Sequence, residues 1–82
     1  MNNSTRTIVV VVNFNGKEFL DQCLESLQHQ VFSDFKTIVV DNFSHDGSVD
    51  KIEERFPGVE VLRLKENIGF AAANNYAIKR AE

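Results

Sequence analysis

The chain has 82 residues, 43% of them hydrophobic, with one cysteine and a formal net charge of -3. A chain of this length builds one small domain and buries only about 60–65% of its unfolded surface, and its acidic balance gives no basic footprint for nucleic acid phosphates. Cys23 alone excludes an internal disulfide, which fits a reducing cytoplasm, and the most apolar run, Ile8 to Val12, falls far short of the roughly 20 residues a membrane-spanning helix needs.

The segment Thr7 to Val12 is β-branched throughout and does not alternate, as expected of a parallel strand covered on both faces. Asn15 then caps a first helix, with Glu18 closing a capping box, and Leu20, Leu24, Leu27 and Val31 share one face of a helix running roughly from Lys17 to Gln30. Cys23 packs within this helix. Phe35 to Val40 forms a second strand. Asp46 or Ser48 caps a second helix whose stripe is Val49, Ile52 and Phe56, ended by Pro57-Gly58. Val59 to Leu64 is a third strand, and an alanine-rich helix follows with Phe70, Ala73, Ala77 and Ala81 on one face.

This βαβαβα order predicts an α/β fold: a three-layer single domain over residues 1–82 with right-handed crossovers and a parallel sheet in the order three-two-one. Sheets of this type bind ligands at the carboxyl ends of their strands, so the three turns that leave those ends are the candidate site. The expected architecture is the amino-terminal half of a doubly wound domain. Its first strand is an open apolar edge, which predicts homo-oligomers through that edge or a place in a longer sheet.

In the first turn, Asn13-Phe14-Asn15-Gly16, amide groups and an aromatic ring stand near a helix amino terminus, which suits a base or an anion, although a capping Asn15 and a core Phe14 explain it equally. The second turn, Asp41 to Gly47, is richer. Turn chemistry accounts for Ser44, Asp46 and Gly47, but a carboxylate that closes a buried apolar strand is costly unless it binds something or caps a turn, which singles out Asp41 and Asn42. The third turn, Asn67-Ile68-Gly69-Phe70, leads to Asn74-Asn75, two poor helix formers among alanines. Arg63 and Lys65 stand where a diphosphate could be approached. His29, His45 and Cys23 lack the spacing of a zinc site.

Together, Val-Val-Val-Asn-Phe-Asn-Gly, Val-Val-Asp-Asn-Phe-Ser-His-Asp-Gly-Ser and Glu-Asn-Ile-Gly-Phe-Ala-Ala-Ala-Asn-Asn, in this order, resemble the amino terminus of family 2 glycosyltransferases with the GT-A fold. The resemblance runs from Ile8 to Ala81, and the wording of the blocks looks most like a bacterial rhamnosyltransferase-like branch that builds cell-surface polysaccharides. It implies a nucleobase pocket from Asn13, Phe14 and Asn15, base and ribose contacts from Asp41 and Asn42, and Asn67, Gly69, Phe70 and Asn74 beside the nucleotide. Asn42 replaces the second acid of that pattern, and Ala73 stands where a basic residue is usual.

The resemblance further implies transfer from a UDP- or dTDP-sugar to a saccharide or lipid-linked acceptor, in the cytoplasm or at the cytoplasmic face of the membrane. A divalent cation, Mg or Mn, would assist the full-length enzyme through an Asp-x-Asp motif. That motif and the catalytic base are both expected beyond Glu82, so this chain by itself is expected to be inactive, with no catalytic or metal-binding residue of its own.

Other readings fit less well. A dinucleotide-binding Rossmann half needs GxGxxG, and Gly16 is the only glycine in the turn after the first strand. A phosphoacceptor receiver needs acids where Asn13 and Lys65 stand. A non-enzymatic module that pairs through its strand edge is the alternative from another class.

Overall fold

A computed structural model describes residues 7–29 and 35–81. In chain order it comprises β1 (Thr7–Asn13), α1 (Leu20–Gln28), β2 (Phe35–Asp41), α2 (Ser48–Arg55), β3 (Glu60–Arg63) and α3 (Phe70–Ala81). The strands form one parallel sheet in the order β1-β2-β3, as the alternating pattern predicts. Central β2 is the most buried strand, with Ile38, Val39 and Val40 all at 1% exposure or less.

Side chains alternate across a strand, so each valine run supplies two cores at once. On one face Val39 joins Leu20 and Leu24 of α1 with Ile52 and Phe56, and Val11 and Val61 pack beside them. The other face carries Ile38, Val40 and Leu62 against Ala73 and Ala77 of α3, flanked by Val10 and Val12. The small alanines let α3 lie close on the sheet. This places α1 and α2 on one side and α3 on the other, the three-layer arrangement.

Several local expectations fail for identifiable reasons. Helix α1 begins at Leu20 rather than Lys17, because the Gly16 carbonyl accepts the N–H groups of both Phe19 and Leu20 in a tight turn. No side chain caps α1, and Asn15 sits in the left-handed region at φ 51°, so the expected capping box is absent. Cys23 is exposed, on the solvent side of α1, rather than packed. Phe70 heads α3 but is 71% exposed, and the buried residues of that helix are Ala73 and Ala77. Val31 and Gln30 lie outside the described residues. Strand β3 is shorter than expected, and Val59 and Leu64 at its flanks still pack against the two cores.

Among the described residues β1 pairs only with β2, and its other edge is open. Beside that edge Ile8 and Val10 form a small apolar groove with Ile78 and Ala81 of α3.

Candidate functional site

The register aligns Asn13, Asp41 and Arg63 in one row across the carboxyl end of the sheet. Asn13 and Asp41, each 4% exposed, therefore meet side by side. Asn13 Nδ2 donates to Asp41 Oδ1 at 2.9 Å and lies 3.0 Å from Ser48 Oγ and 3.2 Å from Ser44 Oγ. Asp41 Oδ1 also accepts from the Ser44 hydroxyl at 2.6 Å, and Asp41 Oδ2 accepts the Ser44 backbone N–H at 2.9 Å. The carboxylate closes the turn that follows its own strand, which repays much of the cost of burying it.

The first and second turns are then tied together. Asn15 donates its backbone N–H to Ser44 Oγ at 2.7 Å, and its Oδ1 accepts the His45 N–H at 2.8 Å. This use of the Asn15 amide explains both the missing helix cap and the left-handed backbone, which asparagine tolerates better than most residues. Asp46 bridges the same gap: Oδ2 accepts the Lys17 N–H at 3.0 Å and Oδ1 the Ser48 N–H at 3.0 Å. Gly47 occupies the N-cap position of α2 at φ 80°, so Asp46, one residue ahead, satisfies a free helix donor from outside the cap. These bonds, the Ser48 side chain foremost, hold the Asp46 carboxyl below its ordinary value of 3.8. Gly16 is required by space, since a Cβ there would fall 2.4 Å from Asn13 Oδ1.

Asn42, 3% exposed, turns the other way. Its Oδ1 accepts the Ile68 N–H at 2.8 Å and so clasps the third turn to the end of β2. In that turn Asn67 Oδ1 accepts the Gly69 N–H at 2.9 Å, and Gly69 takes φ 87°. Asn74 is half-buried on α3, and its amide returns to the Phe70 carbonyl at 3.4 Å.

The predicted residues thus fall into two groups. Asn13, Asn15, Asp41 and Asn42 form one hydrogen-bonded knot, with Asn67 and Gly69 joined to it through Ile68. Phe14, 50% exposed, and Phe70 present their rings outward, so Phe14 is not a core residue. Arg63 lines a polar cleft of about 290 Å³ with Asp41, Ser44, His45, Gly47, Val49 and Asp50. Its guanidinium is engaged by Asp50 at 2.8 Å and Glu53 at 2.6 Å, the Asp50 bond first among the causes that raise its pKa, so its charge is largely answered within the chain. Lys65 is exposed.

Sequence reasoning assigned Ser44 to turn chemistry and Ser48 to a helix cap, whereas Gly47 holds the N-cap position and the Ser48 hydroxyl meets the Asn13 amide. A hydroxyl three residues after a strand-ending aspartate was the available signal. Phe43 was passed over: it adopts φ 73°, a left-handed conformation that costs a residue with a Cβ roughly 1–2 kcal/mol.

The profile of glycosyl transferase family 2 matches residues 8–82. The chain is 32% identical over 78 residues to the teichoic acid poly(glycerol phosphate) polymerase of Staphylococcus epidermidis, a match covering 90% of this chain and 11% of that protein. Residues 1–349 of S. aureus TarS superpose with a TM-score of 0.84 at 29% identity, over 95% of this chain and 25% of theirs. The mannosyltransferase PcManGT from Pyrobaculum calidifontis, in complex with GDP-Man and Mn2+, superposes with a TM-score of 0.77 at 25% identity, over 98% of this chain and 25% of that one. The chain therefore spans a quarter or less of each of these proteins. With the profile covering nearly all of its residues and a GT-A arrangement of strands and helices, this chain belongs to glycosyltransferase family 2.

Proposed function

We propose that this chain is the nucleotide-binding part of a glycosyltransferase that moves a sugar from a UDP- or dTDP-sugar to a saccharide or lipid-linked acceptor in cell-surface polysaccharide synthesis. The observation that carries the reading is the occupancy of the Asp41 carboxylate. A carboxylate has about four acceptor positions, and Asn13, the Ser44 hydroxyl and the Ser44 amide take three of them. The remaining position, on Oδ2, suits a ring N–H donor such as N3–H of uracil or thymine. Cytosine has no hydrogen on that nitrogen.

The roles within the site then divide. Asn13, Asn15 and Asn42 act mainly through the protein, holding the turns. Asp41 reads the base edge, Phe14 and Phe70 offer ring surface, and Gly69 lets the backbone of the third turn come close to the ligand with Asn67 and Asn74 beside it. The family relation and the named activities of the relatives support this reading.

Among the described residues no group of three His, Cys, Asp or Glu could hold a metal ion. The Mg or Mn expected for the whole enzyme would draw its ligands from elsewhere in that enzyme. On this reading the chain alone binds nucleotide without transferring sugar. We place its work in the cytoplasm or at the cytoplasmic membrane face; no helix among the described residues is long and apolar enough to cross a membrane. The alternative, an interaction module or homo-oligomer built on β1, rests on the free edge and its apolar groove, features that a longer sheet would also cover.

Amide NMR spectra during titration with UDP, dTDP and CDP, with and without manganese, test the proposal. Shifts at residues 13–16, 41–47 and 67–74, stronger with UDP and dTDP than with CDP, are expected. A folded chain whose spectrum does not respond to millimolar UDP or dTDP would overturn it.

A further inference from the structure

We infer that Phe43 is a ligand contact: its ring is the stacking surface that the second turn presents to the base of a nucleoside diphosphate. The inference rests on the nucleotide reading above and adds to it a residue that neither the motif pattern nor the Asp41 knot requires.

Phe43 stands between Asn42 and Ser44 at the carboxyl end of the central strand, where sheets of this topology bind their ligands. Asn15 and Phe43 are the only non-glycine residues at positive φ among those described. The asparagine is a residue type suited to that conformation and uses it to bind His45. A phenylalanine is poorly suited to it, and strain kept at a site is a pointer to function. The bonds that hold the turn are made by Asp41, Asn42, Ser44 and Asp46 around it, so glycine or asparagine at position 43 would serve the turn better.

Burial does not explain the ring, which is 42% exposed, in contrast to 4% for Phe56 in the core. It is nevertheless oriented, meeting the His45 ring edge-on with centroids 4.4 Å apart. The His45 amide is bonded to Asn15, next in sequence to the exposed Phe14, so the pair is anchored to the first turn. The exposed phenylalanines among the described residues, at positions 14, 19, 43 and 70, all lie on the turns or helix starts that follow the carboxyl ends of the strands.

Stacking on an aromatic ring accepts any base, because every base has a π face. Phe43 therefore adds affinity for a nucleoside over a bare diphosphate, while Asp41 sorts the bases by their N–H groups. The test compares wild type, Phe43→Asn and Phe43→Tyr, with calorimetric titration of UDP, uridine and pyrophosphate and a thermal melt of each protein. Phe43→Asn is expected to weaken UDP and uridine about tenfold, leave pyrophosphate unchanged, and raise Tm by about 4 °C through relief of backbone strain. Phe43→Tyr is expected to bind UDP within about twofold of wild type.

UDP affinity unchanged in Phe43→Asn, while the wild type binds, would overturn this inference and leave the nucleotide reading standing. A lowered Tm with equal losses for UDP and pyrophosphate would assign Phe43 a purely structural role and also overturn it. A wild type that binds none of the three ligands overturns both readings together.

Discussion

The turns after β1 and β2 and the turn after β3 occupy the same end of the sheet but are held in different ways. The first two are joined to each other by side-chain bonds from Asn13, Asn15, Asp41 and Asp46, two of them buried. The third, with Lys65 to Phe70 all exposed, is clasped to the rest by the Asn42 amide alone among the side chains of those turns. The first pair is set in advance of any ligand. With fewer side-chain ties to the sheet, the third turn is expected to open more readily than the first two.

The comparison breaks most visibly at Asn13. Replacing it by alanine leaves the buried Asp41 carboxylate without its amide donor, and hydrogen bonds to charged groups are worth about 1.5–3 kcal/mol. Asn13→Ala is expected to lower unfolding free energy by about 2 kcal/mol in a urea titration and Tm by roughly 10 °C. A loss within about 0.5 kcal/mol would show that the knot is not the fixed element.

A smaller, more local effect is expected at Asn42. Asn42→Ala removes the acceptor of the Ile68 N–H and should cost about 1 kcal/mol, with faster amide exchange at Ile68 and Gly69 and unchanged exchange in β2. Asn42→Asp keeps an acceptor oxygen and should keep that protection. If Asn42→Ala leaves amide exchange at Ile68 unchanged, the third turn is held by something else.

The smallest effect is in the pH dependence of the first pair. The Asp46 carboxyl is held below its ordinary value of 3.8 in the folded chain, first by the Ser48 side chain and then by the Ser48 and Lys17 amides. Its contribution to stability is therefore complete above the unfolded value and is lost as pH falls through the lower folded value. The stability difference between wild type and Asp46→Asn, read from urea midpoints, should be constant from pH 7 to about 5 and shrink below about 4. A difference that stays flat through the acid range removes Asp46 from the bridge between the turns.

How much of this was legible in the sequence varies by residue. The Val9 to Val12 run and the Ile38 to Val40 run announce a parallel sheet covered on both sides, and both are so covered. The spacing of Val49, Ile52 and Phe56 marked the buried stripe of α2 correctly, as that of Ala73 and Ala77 did for α3. Asn15 was misread because a cap and a cross-turn clamp use the same residue type at the same distance from a helix. Cys23 and Phe70 were misread because residue type indicates an average burial, whereas the packing of each helix on the sheet decides the individual case.

The sequence by itself determined the element order, the parallel sheet and the two apolar cores, since these follow from the periods of strand and helix, which are local properties of the chain. It also marked the three polar turns as the candidate site. Only the tertiary structure decided what each polar group in those turns does. The partners of Asn13 lie 28, 31 and 35 residues away, and they meet because the register pairs Asn13 with Asp41. A hydrogen bond has strict limits of distance and angle, so its partner is fixed by how strands align in space and not by residue type or spacing along the chain.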